Sequence, residues 1–61
     1  MKVYKGKGGA YVTFEKQRSG MWEVRLRTGS GDLADKVRCD DYRVAIEYRK
    51  AFIKTARANR A

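Results

Sequence analysis

The sequence predicts an α+β fold, a three-stranded antiparallel sheet with one C-terminal helix packed on one face (βββα). Three observations point to it. Two runs, AYVTFEK and MWEVRLR, place apolar residues at every second position and are separated only by the turn-forming QRSG. A weaker alternating run, LADKVRC, follows the glycine-rich TGSGD. From Asp40 to Ala58 no residue type breaks a helix, and the chain has no proline.

Taken in order, MKVYKGKGG (residues 1–9) is basic and glycine-rich and reads as a flexible arm or loose lead-in. Residues 10–39 hold the sheet. In the first strand Val12 and Phe14 point one way, and Tyr11, Thr13 and Glu15 the other. In the second, Trp22, Val24 and Leu26 share the apolar side, opposite Glu23, Arg25 and Arg27. In the third, Leu33, Val37 and Cys39 can share the apolar side, where Asp35 also falls, while Lys36 and Arg38 face outward. Residues 40–58 form the helix, capped by Asp40 or Asp41, whose carboxylates suit the positive N-terminal end. At 100° per residue Val44, Ala45, Tyr48, Phe52 and Ala56 fall on one side, with Ile46 and Ile53 at its margin. Arg43, Lys50, Lys54 and Arg57 fall opposite.

All 61 residues are read as one small domain, near the lower size limit for independent folding. Its core is expected to unite Val12, Phe14, Trp22, Val24 and Leu26 with Val44, Ala45, Tyr48 and Phe52. So small a core supplies about 3–5 kcal/mol, and self-association as a homodimer is one way to enlarge it.

Charge is the dominant global feature, with fifteen Lys and Arg against seven Asp and Glu, a net +8. The four aspartates of residues 32–41 interrupt an otherwise basic chain. Such a balance on a small domain points to a polyanionic partner. With one face of the sheet under the helix, the other displays Tyr11, Thr13, Arg25, Arg27, Lys36 and Arg38 beside Glu15 and Glu23. Arg25 and Arg27 are same-face neighbours, so mutual repulsion is expected unless something neutralises them, and Arg25→Ala should be neutral or slightly stabilising.

The segments AYVTFEKQRSGMWEVRLR and YRVAIEYRKAFIK carry a resemblance. Three strands then a helix, with Trp22 in the second strand followed by alternating arginines, and Ala45, Tyr48 and Ala51 along the helix, resemble the DNA-binding domain of plant ethylene-response factors (the Apetala-two family). Related domains occur in phage and mobile-element nucleases and at the N-termini of some phage-type integrases. Before the helix the family usually has a Leu-Gly step and an aromatic, where this chain reads ADKVRCDD. The resemblance implies that the sheet lies in the major groove of duplex DNA, with Arg25 and Arg27 as the carried-over contacts. Chemistry adds Lys36, Arg38, Tyr11, Thr13, Lys16 and Arg18 as candidate nucleic-acid contacts, and Lys5 and Lys7 as phosphate contacts, since arginine forks onto guanine while lysines mainly position the backbone. The function expected is a small nucleic-acid-binding protein, a regulatory or recombination accessory of a phage or mobile element. The alternative is a phage-type inhibitor that uses the same basic surface against an acidic host protein.

Enzymatic chemistry is not expected. GKGG (residues 6–9) has glycines and a lysine but lacks the spacing and the following Ser or Thr of a phosphate loop. The aspartates do not follow calcium-loop spacing. No histidine is present, and the single Cys39 is expected to pack near the helix start. No catalytic residue, metal site or cofactor is therefore predicted. No apolar run approaches the ~20 residues of a membrane span, and the N-terminus lacks the apolar stretch of a secretory signal. A cytoplasmic setting is expected (a bacterial host cell, if the gene is a phage's), with no membrane partner.

Overall fold

The alternation of the first two runs is realised in a β-hairpin. In the computed structural model, which describes residues 1–58, β2 (Tyr11–Lys16) pairs antiparallel with β3 (Trp22–Arg27), and β3 with β4 (Leu33–Cys39). Both connections use one design. Gln17 N–H donates to Met21 O (2.7 Å) and Gly20 N–H to Gln17 O (3.0 Å); Thr28, Gly31 and Asp32 repeat the pattern at 2.9 Å for each bond. Gly20 and Gly31 both sit at φ 91°, the left-handed position that closes a three-residue hairpin loop and resists a side chain.

The strand count differs from expectation. Lys2–Lys5 forms a further strand, β1, paired antiparallel with β2, and the sheet runs β1-β2-β3-β4. The stretch read as an arm thus supplies an edge strand and a 3-10 turn at Lys7–Gly9. The four residues Lys-Val-Tyr-Lys set their two apolar side chains next to each other and are too short to register as a strand by pattern alone. Tertiary contact fixes them: a Cβ on Gly6 would collide with the backbone of Ala56, and one on Gly29 with the carbonyl of Gly8. The glycines of GKGG therefore permit backbone to lie on backbone, the helix on one side and the β3–β4 turn on the other.

A β-bulge alters the third predicted run. Leu26 pairs with Asp35 but Arg27 with Leu33, so Ala34 is the extra residue. Beyond the bulge the alternation reverses. Leu33, expected beside Val37 and Cys39, lies opposite Arg27 and is 48% exposed. Asp35 keeps its predicted apolar side, pairs with Leu26, is exposed, and accepts the Lys36 N–H at 2.8 Å.

α1 (Tyr42–Ala58) covers one face of the sheet. Asp41 caps it: its Oδ1 accepts Arg43 N–H at 2.8 Å while its carbonyl accepts Ala45 N–H at 3.0 Å. The buried stripe is Ala45, Phe52 and Ala56, with Ile46, Arg49 and Ile53 half-buried beside it. Val44 and Tyr48, expected in the core, are 44% and 43% exposed. The unforeseen β1 explains this. Its Tyr4 widens the apolar floor on one side, and the helix turns Arg49 and Ile53 toward it. The core itself joins Val12, Phe14, Val24 and Cys39 to that stripe, with Trp22 and Leu26 packed against it.

Candidate nucleic-acid interface

The register assembles the open face in rows. Val3, Thr13, Arg25 and Lys36 form one row across the four strands; Lys5, Tyr11, Arg27 and Leu33 form the next; Glu15, Glu23 and Arg38 form the third. The predicted residues Arg25, Arg27, Lys36, Arg38, Tyr11, Thr13 and Lys5 are thus brought together. Lys16 is not. It pairs with Trp22, on the helix side of the sheet, and its Nζ lies over the Trp22 ring at 5.5 Å. Arg18 sits exposed in the β2–β3 turn and Lys7 in the 3-10 turn, each at a margin of the face.

Glu23 organises the third row and its neighbours. It is only 2% exposed although no element covers this face. Arg25, two residues on along β3, and Arg38, directly across on β4, close over it. Arg38 Nε donates to Oε2 at 2.8 Å, and Arg25 Nε pairs with Oε1. Among the described residues Oε1 and the Arg25 Nε have no hydrogen-bond partner, and the contact between them is an ion pair. Burial alone would raise the Glu23 pKa; the contacts from Arg38 and Arg25 outweigh it and hold the carboxyl below its ordinary value.

This arrangement has a chemical consequence. Arg38 spends its Nε–H on Glu23 and Arg25 turns its Nε to the same carboxylate, which leaves the end-on fork of each guanidinium, one N–H from each Nη, free for another partner. Arg25 and Arg38 are 38% and 57% exposed, so these donors reach solvent. Two oriented, charged forks therefore stand side by side on adjacent strands. Arg27 is held differently, its Nη1 donating to Gly31 O at 3.0 Å, which ties it to the β3–β4 turn. The expected repulsion between Arg25 and Arg27 is thus relieved from within, by a carboxylate that sequence reading placed on this face without assigning it a task. A Glu-x-Arg on one strand opposite an Arg on the next was the available signal.

No family model, curated protein or solved structure matches this chain. Among the described residues no cluster of metal-binding side chains occurs, and no helix is long and apolar enough to cross a membrane.

Proposed function

We propose that this protein binds duplex DNA through its open sheet face, with Arg25 and Arg38 as the principal contacts. One observation carries the reading: the buried Glu23 carboxylate lies against the Nε atoms of both Arg25 and Arg38, and both side chains stay partly exposed, with their end-on forks unspent. A fork of this kind matches guanine O6 and N7, or two phosphate oxygens, and pre-orientation removes part of the entropy cost of ordering long side chains. Arg25, Arg27, Lys36 and Arg38 all belong to the single hairpin β3–β4, and a two-stranded ribbon is what the major groove admits. Lys5 flanks the ribbon and suits phosphate, as do Lys7 and Arg18 at its margins. The resemblance to the Apetala-two type of domain favours the same mode and a regulatory or recombination role in a phage or mobile element.

Gel shifts with a randomised panel of labelled duplexes at low salt test the reading. The protein should bind with micromolar or tighter affinity and prefer some sequences over others. Arg25→Ala with Arg38→Ala should remove the preference, while Lys50→Ala with Lys54→Ala on the far side of the molecule should leave binding of a single duplex within about threefold, as expected for remote charges screened by salt. Absence of any shift by the folded protein, together with recovery of one stoichiometric protein after nuclease treatment of a host lysate, would overturn it in favour of the protein-inhibitor alternative.

A further inference from the structure

A second basic surface lies on the other side of the sheet. Between β1 and α1 runs a groove of about 630 Å³, lined by Arg49, Lys50, Lys54 and Arg57 over a floor of Tyr4 and Ile53, with no carboxylate in its lining among the described residues. Arg49 is fixed in it: its guanidinium stands 5.2 Å from the Tyr4 ring and 4.9 Å from the Phe14 ring. Among the described residues no carboxylate pairs with Arg49, Lys54 or Arg57, and Lys50 meets only the exposed Glu47, at 3.7 Å. Cations three and four residues apart on a helix repel one another. Complementing the negative helix end accounts for Lys54 and Arg57 in the last turns, but not for Arg49 and Lys50 further in.

Resting on the reading that the sheet face holds a duplex, we propose that this groove takes the phosphate backbone of a second duplex, so that one molecule bridges two DNA segments. The two surfaces cannot serve one straight duplex. Tyr4 pairs with Val12 on the helix side, Arg25 and Lys36 stand on the opposite side, and the sheet lies between them. Lys50 to Arg57 spans ~10.5 Å of helix axis at 1.5 Å per residue. That length faces about three phosphates of one strand, spaced 3.4 Å along the duplex axis. The groove offers point charges and no pattern of donors and acceptors for bases, so it suits backbone without sequence preference. A lipid surface fits less well, because the apolar stripe of α1, Ala45, Phe52 and Ala56, is already buried against the sheet.

The test is a two-duplex capture. A biotinylated duplex preferred by the sheet is fixed to beads, full-length protein is added, and retention of a second, fluorescent duplex of unrelated sequence is read. Wild type should retain it. Lys54→Glu with Arg57→Glu should lower retention at least tenfold while leaving the gel shift of a single duplex within about threefold, as backbone contacts on a separate surface require. Lys54→Gln with Arg57→Gln, which spares the helix end a new negative charge, should lower it in the same direction. Wild-type binding of one duplex without retention of the second overturns the inference and leaves the sheet reading intact; so does retention that is unchanged in both variants. Failure of wild type to bind any duplex removes the sheet reading and this inference together. Loss of co-sedimentation with phosphatidylserine vesicles in variants that still bridge duplexes would assign the groove to a membrane and overturn the inference as well.

Discussion

At the scale of single residues, Glu23 decides how the open face behaves. Its pKa is lowered by folding, so its contribution to stability is fully present above the unfolded value of about 4.3 and is lost as pH falls through the lower folded value. Acid titration of thermal stability should therefore show a steeper loss below about pH 4 in wild type than in Glu23→Gln. The same substitution should weaken DNA binding at neutral pH despite adding to the net positive charge, because Arg25 and Arg38 lose their common anchor. Tighter binding by Glu23→Gln would show that charge alone matters and that orientation does not. Arg25→Ala should cost about 1 kcal/mol in place of the neutral or slightly stabilising effect expected from the sequence, since Glu23 Oε1 loses its only ionic partner among the described residues while Arg38 keeps Oε2. Trp22 is the opposite case. It stacks on Phe14 at 5.2 Å with an interplanar angle of 14° and meets Tyr42 edge-on at 4.8 Å. Trp22→Ala should cost about 3 kcal/mol and largely unfold so small a domain, read as a collapsed melting transition. A Trp22→Ala protein that melts like the parent would show that the ring contributes little to the core.

At the scale of elements, legibility followed periodicity. β2 and β3 announce themselves because Val12, Phe14, Trp22, Val24 and Leu26 alternate without interruption, and α1 because Asp41 opens a long run of good helix formers. β4 was legible as a strand but not in its bulge, since a single extra residue leaves composition unchanged and only the pairing with Arg27 reveals it. β1 was not legible at all. Its Lys-Val-Tyr-Lys gains strand geometry from docking on β2, a tertiary effect that local pattern does not carry. Without β1 the sequence pattern turns the helix by a fraction of a turn and points Tyr48 and Val44 inward, whereas both are exposed. Their exposure implies tolerance: Val44→Ser or Tyr48→Ser should shift stability by no more than about 1 kcal/mol, whereas Phe52→Ser, at a buried position, should unfold the domain. Urea denaturation of the three variants checks the orientation of α1, and equal losses in all three would contradict it.

For the molecule as a whole, the net charge of +8 is less informative than its partition. The sheet divides the cations into two populations that face apart, one gathered around Glu23 and the other along α1. Composition gave the total, and periodicity gave the separation of Arg25 and Lys36 from Lys50 and Lys54. Neither could show that a buried carboxylate is spent inside the first population, while among the described residues the second meets only the exposed Glu47. The salt dependence of binding should expose that partition. Each phosphate contact contributes about −0.9 to the slope of log K against log salt on duplex DNA. If Lys5, Lys36 and two of the face's arginines meet phosphate, the slope for one duplex at trace concentration should be about −3.6, or roughly 150-fold weaker binding between 50 and 200 mM salt. Lys5→Ala and Lys36→Ala should each flatten that slope by about 1 and weaken binding evenly across sequences, because lysines here position the protein without reading bases. Lys54→Ala should leave it nearly unchanged, since a lone duplex at trace concentration occupies the tighter sheet face. A slope that flattens for Lys54→Ala but not for Lys36→Ala would place the primary contact on the helix and reverse the assignment of the two faces.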